Sequence, residues 1–158
     1  SGARHVQVFR HGGGVEVRYD LSSFRVGSTD GAGQAINGIG LERTFARWTK
    51  RACEWFDAAK VAPPYAVFLS LLGVSQTRFV NANPATALMD GDYDVELPDV
   101  LLGEQLLDRI PQDVSTTLAP TFDAMWQAAS WPRSPARSGD SRPIYAAELD
   151  GLKWDDLI

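Results

Sequence analysis

The sequence predicts an α+β domain in which an antiparallel or mixed sheet packs against two main amphipathic helices. Two stretches near the start alternate apolar and polar residues, a central stretch repeats apolar residues at steps of three and four, and two later apolar runs have strand length. With 158 residues the chain is long enough for one core and short for two. The expected organisation is a single α+β domain over 1–130, a Pro/Ser/Arg-rich linker over 131–143 and a C-terminal segment, 144–158, that docks back.

In "HVQVFR" and "VEVRYD", Val6 and Val8, then Val15, Val17 and Tyr19, occupy alternate positions, as in half-buried strands. The glycines of "HGGG" between them supply the turn of a β-hairpin. Residues 27–40, "GSTDGAGQAINGIG", have no apolar period and read as a loop. From Leu41 the spacing changes: Leu41, Phe45, Trp48, Ala52, Trp55 and Ala59 form one helical stripe, predicting a helix over 41–60 that stops before Pro63 and Pro64. "YAVFLSLLGV" predicts a strand covered on both faces. "DYDVELPDVLL" alternates Tyr93, Val95 and Leu97 against acidic residues, predicting a strand with one wet face over 93–102. Val114, Leu118, Phe122, Met125, Trp126 and Ala129 predict a second helix over 112–130, kinked or split at Pro120. The tryptophan-bearing faces are expected to meet the sheet.

Composition narrows the function. At 44% hydrophobic and 22% charged, the chain is that of a folded globular protein. It has no apolar run long enough to span a membrane and no basic-then-apolar leader, so neither insertion nor export is expected. A lone Cys53 permits no internal disulfide and fits a cytoplasmic setting. The net charge of −5 opposes general capture of nucleic acid or anionic membrane. The opening Ser-Gly-Ala, without methionine, has the look of a cleaved tag or of the edge of a larger protein's segment.

Chemistry-bearing patterns are few. "HGGG" occurs in the oxyanion loops of some esterases, but there is no Gly-x-Ser-x-Gly elbow, and His5 and His11 are the only histidines. Asp92, Asp94 and Glu96 share one face of the expected strand, where carboxylates can gather a magnesium or calcium ion, although a solvated strand face has the same alternation. Arg43, Arg47, Lys50 and Arg51 follow the spacing i, i+4, i+7, i+8, a basic stripe fit for phosphates or an acidic partner. Basic residues also simply solvate an amphipathic helix. The tryptophans lie mostly on apolar stripes and read as core. No residue pattern singles out a catalytic group or a cofactor.

"PPYAVFLSLLGVSQTRF", "LPDVLL" and "LAPTFDAMWQAAS", taken in order, resemble the C-terminal region of bacterial ATP-binding proteins whose N-terminal part is a Schlafen AlbA-type domain. Residues 63–74, 97–102 and 118–129 carry the resemblance. It implies an appended α+β domain in a cytoplasmic, regulatory or defence-linked protein. ATP and DNA binding are attributed to the family's N-terminal module, and the resemblance carries neither to this chain. Family members have a Lys or Arg and a glycine after "SLLGV", where Ser75, Gln76 and Thr77 stand here, so no anion-contacting role follows for those positions.

The leading expectation is therefore a non-catalytic accessory domain that binds a protein partner: the N-terminal domain of a parent chain, or another protomer. A small effector is a further candidate ligand. The Gly-rich loop 27–40 and the basic stripe are the expected contact surfaces. One alternative is a metal-dependent phosphoester or nucleic-acid hydrolase using the acidic strand 90–99. Another is nucleic-acid binding by the basic stripe of helix 41–60.

Overall fold

The computed structural model describes residues 4–9, 13–26, 35–81, 94–138 and 141–151. The opening stretches form the expected hairpin: β1 (Arg4–Phe9) and β2 (Gly14–Tyr19) run antiparallel, with Phe9 opposite Gly14 and Arg4 opposite Tyr19. Gly13, at φ +64°, takes the left-handed conformation that the tight connection requires. A short 3-10 turn, Leu21–Phe24, follows, capped by Asp20, whose side chain accepts the Ser22 N–H.

The loop expected over 27–40 does not include its last six residues. Residues 27–34 lie outside the described residues, while Ala35–Asn37 is a strand, β3, and helix α1 starts at Gly38. Two local reasons end the loop early. The Asn37 side chain accepts the Gly40 N–H at 2.9 Å, an N-cap. Gly38 is where the backbone passes against the Trp126 ring, and a Cβ there would fall 2.5 Å from it. This glycine serves close packing rather than a turn.

Helix α1 (Gly38–Ala58) ends in a Schellman arrangement. Lys60 N–H bonds to Asp57 O at 3.0 Å and Val61 N–H to Phe56 O at 2.9 Å, with Lys60 itself at φ +60°. Its buried stripe is rotated from the predicted one: Glu42, Ala46, Thr49, Cys53 and Phe56 are buried, whereas Phe45, Trp48, Ala52 and Trp55 are half-buried. The cause is packing on two flanks. Trp48 Nε1–H donates to the Tyr19 hydroxyl of the hairpin, and the later helices cover the other side.

The run "YAVFLSLL" splits into β4 (Tyr65–Val67) and β5 (Ser70–Leu72). Next, β6 (Arg78–Val80) pairs parallel with β3. β7 (Asp99–Leu101) and β8 (Gln105–Leu107) return antiparallel to β5 and β4 respectively. Among the described residues the expected sheet is therefore realised as four two-stranded sheets, one of them parallel. Two strand expectations need correction. Residues 65–72 are covered on one face only: Tyr65, Leu69 and Leu71 are buried, and Ala66, Phe68, Ser70 and Leu72 are exposed. The predicted strand over 93–102 begins only at Asp99, because Pro98 has no N–H to offer a ladder. Before it, Asp94 makes an isolated bridge to Arg78, and Val95 exchanges backbone bonds with Thr77 and Gln76. Tyr93 lies outside the described residues.

The predicted helix over 112–130 is two abutting pieces, α2 (Val114–Thr117) and α3 (Ala119–Gln127). Pro120 sits in the first turn of α3, where its missing N–H leaves nothing unpaired. After it, Trp131, Ser134 and Ala136 are buried, and α4 (Ala146–Asp150) is the last helix among the described residues. Among the described residues, three clusters line up along α1. Leu41 joins Ile36, Phe79, Val100, Met125 and Trp126; Ala46 joins Leu118, Phe122, Tyr145 and Leu149; Cys53 and Phe56 join Tyr65 and Leu107.

Candidate functional site

The most deeply buried polar cluster centres on Glu42, which is 1% exposed. Three donors from two directions converge on its carboxylate. Trp126 Nε1–H of α3 and Ser134 Oγ–H at 2.5 Å reach Oε1, and the Tyr145 hydroxyl reaches Oε2 at 3.0 Å. Burial pushes the Glu42 carboxyl above its usual range, while the bonds from Ser134, Trp126 and Tyr145 and the charge of Arg137 pull the other way without prevailing. The Tyr145 phenol is also pushed up, by burial and by the neighbouring Glu42. Beside this knot, Asp123 accepts the Ser134 N–H at 3.0 Å and pairs with Arg137 at 2.5 Å. The arrangement ties Ser134, Arg137 and Tyr145 to α1 and α3. Ser134, fully buried, has no access to a substrate in water.

Sequence reasoning missed Glu42. It stands beside Leu41 at the edge of the predicted stripe, and its spacing to Ala46, Thr49, Cys53 and Phe56 follows the observed buried face. A face containing Glu and Thr does not advertise burial.

The basic stripe is dispersed. Arg43 pairs with Glu148 at 3.1 Å, and Lys50 Nζ donates to the Leu149 carbonyl at 2.5 Å, so both help to seat α4. Arg51 turns inward, 4% exposed, and pairs with Glu54 at 2.9 Å. Arg47 is half-buried, and its Nε has no hydrogen-bond partner among the described residues. A second tie holds the same region: Arg142 bridges Asp113, the N-cap of α2, and Asp150 of α4. Burial alone would raise the Asp113 carboxyl, but bonds from Ser115, Thr116 and Arg142 outweigh it and hold the group at about 2.

Of the acidic set, Asp94 pairs with Arg78 at 3.0 Å, Glu96 is exposed and Asp92 lies outside the described residues. Among the described residues, no three His, Cys, Asp or Glu side chains gather to hold a metal ion. Of "HGGG", His11 and Gly12 lie outside the described residues, and Gly13 and Gly14 make the hairpin's turn and first strand position. The Cys53 thiol is buried and pushed up to about 11, which keeps it in its unreactive form. An open cleft of about 320 Å³ lies between the 3-10 turn and the start of α1, lined in part by Ser23, Arg25, Arg43 and Thr44.

The largest departure from an ordinary surface is on the ribbon made by β4, β5, β7 and β8. Its inner face supplies Leu69, Leu71, Val100 and Leu107 to the core. Its outer face presents Phe68 at 61% exposure, Leu72 at 64%, Leu101 at 73% and Leu106 at 55%. In the pairing register Leu101 stands opposite Ser70, Leu106 opposite Ala66 and Leu72 opposite Asp99. Leu97, just before β7, is exposed as well. Among the described residues, no helix is long and apolar enough to cross a membrane. No protein-family model, curated protein or solved structure matches the chain.

Proposed function

We propose that this chain is a non-catalytic interaction domain that docks a protein partner on the outer face of the β4/β5/β7/β8 ribbon. The observation that carries this reading is that Phe68, Leu72, Leu101 and Leu106, from the two antiparallel pairs and the link between them, are each at least 55% exposed. Apolar groups gathered in this way mark surfaces that are covered in the functional assembly. The side chains that sequence reasoning favours for chemistry support the same reading, since Arg43, Lys50, Arg51 and Asp94 spend their charge on contacts within the chain.

The resemblance of "PPYAVFLSLLGV" to the C-terminal region of Schlafen AlbA-type ATP-binding proteins supports a bacterial, cytoplasmic context with a regulatory or defence role. Phe68 and Leu72, two apolar residues of that motif, belong to the exposed row and contribute nothing to the core. The partner in this reading is a protein surface of the parent chain's own N-terminal module. Calorimetric titration of the chain with the module encoded upstream of it tests this. Saturable binding that weakens at least about tenfold in Leu101→Ser and Phe68→Ser, with unchanged circular dichroism, is expected. The absence of an upstream module, or binding indifferent to both substitutions, overturns the proposal.

A further inference from the structure

The outer face of the ribbon has a charge signature that narrows its partner. Residues 65–73 and 95–108 contain no Lys, Arg or His, whereas the second segment contains Glu96, Asp99, Glu104 and Asp108. All four are exposed. Three of them alternate with exposed leucines: Asp99 lies between Leu97 and Leu101, and Glu104 and Asp108 flank Leu106. Within β7, Asp99 and Leu101 are alternate positions and share the outer face. The register agrees, for Asp99 stands directly opposite the exposed Leu72, and its carboxylate accepts the Gly73 N–H at 2.8 Å.

Covering Leu72 and Leu101 with an apolar partner brings these carboxylates toward a drier environment, and a buried charge without a counter-charge is costly. A partner bearing Lys or Arg beside its apolar groups removes that cost and gains attraction at the encounter stage. We infer that the ribbon's outer face binds a basic amphipathic protein segment, one that interleaves apolar side chains with Lys or Arg. This inference rests on the interaction-domain reading and adds the partner's chemistry to it. A second copy of this face would oppose like charges, and the phosphates of nucleic acids and anionic lipids are repelled for the same reason. The chain's own segments 82–93 and 152–158 are net acidic, carrying Asp90 and Asp92, and Asp155 and Asp156 with the one Lys153, so they also have the wrong sign.

The test is fluorescence anisotropy with two labelled peptides, one alternating Leu and Lys and the other alternating Leu and Glu, added to the full chain. The Leu-Lys peptide is expected to bind at least about tenfold more tightly, and less so as salt rises from about 0.05 M to about 0.5 M. Leu101→Ser should weaken that binding, and the double variant Glu104→Lys, Asp108→Lys should shift preference toward the Leu-Glu peptide. Equal affinity for the two peptides, failure of both to bind, or a preference untouched by the charge reversals overturns the basic-partner inference. If Leu101→Ser still weakens binding of the upstream module in those cases, the interaction-domain reading stands. Leu-Lys binding that ignores Leu101→Ser places the peptide elsewhere and counts against both. A dimer in sedimentation velocity that Leu101→Ser dissolves makes a second copy the occupant and overturns the basic partner alone.

Discussion

Glu42 of α1 accepts the indole N–H of Trp126 of α3, and both side chains are shut away from water. The same carboxylate holds Ser134 and Tyr145, so one buried acid fastens the last quarter of the described chain to its longest helix. Truncation at this site leaves three donors without an acceptor. Glu42→Ala is expected to lower stability by about 3 kcal/mol in urea unfolding, in line with the cost of orphaned buried polar groups. A loss under about 1 kcal/mol would mean that water replaces the carboxylate easily.

The raised Glu42 carboxyl also has a pH consequence of a definite sign. In the folded state it holds its proton more tightly than in the unfolded chain, whose carboxyl titrates at about 4.3. Its contribution is therefore full below about pH 4.3 and is lost as pH rises toward the higher folded value. Urea midpoints measured from about pH 4 to pH 7 should fall more steeply for the wild type than for Glu42→Gln, which has no proton to lose. Parallel curves would exclude Glu42 as the source.

Asp113 works in the opposite direction. Held at about 2 by Ser115, Thr116 and Arg142, it stabilises the fold above the unfolded value of about 3.9, and that contribution disappears as pH falls through about 2. Asn at this position still caps α2 but brings no charge to Arg142. The stability gap between wild type and Asp113→Asn should be constant at neutral pH and close across that acid window. A gap that persists at pH 2 would show that capping geometry, not charge, is what the substitution disturbs.

Gly38 and Gly40 are two residues apart in the first turn of α1, yet their substitutions should differ. A Cβ at Gly38 meets the Trp126 ring at 2.5 Å, whereas one at Gly40 meets the flexible Asn37 side chain at 3.1 Å. Gly38→Ala should cost about 2 kcal/mol by overpacking and disturb the near-ultraviolet tryptophan signal. Gly40→Ala should cost less and leave that signal in place. Equal effects would contradict the close approach.

Lys60 is a left-handed residue at the C-terminal stop of α1, a position where glycine has no Cβ penalty. Lys60→Gly is expected to raise stability by about 0.5–1 kcal/mol in thermal or urea unfolding, the strain relieved exceeding the added flexibility of the unfolded chain. Destabilisation would show that the Lys60 side chain contributes a contact worth more than the strain.

Local patterns were the legible part of this molecule. The hairpin, α1 and the break at Pro120 follow from alternation, from three-four spacing and from proline's missing N–H, all of which act within a few residues. The apolar run from Tyr65 to Leu72 was readable as strand, but which of its faces is covered was not. A continuous run gives no polarity contrast, and the answer depends on β7 and β8 arriving from some 30 residues later. The candidate docking face was hidden for that reason.

What the sequence determined by itself is the α+β class, the opening hairpin, the central helix and the break at Pro120, because these depend on backbone sterics and short-range periodicity. The tertiary structure alone decided that Glu42 is buried, that Arg43 and Lys50 are occupied by α4, and that Phe68 and Leu101 face water. Burial of a charge or exposure of a leucine depends on the group that arrives opposite it. That group is distant in the chain, so no local spacing records it.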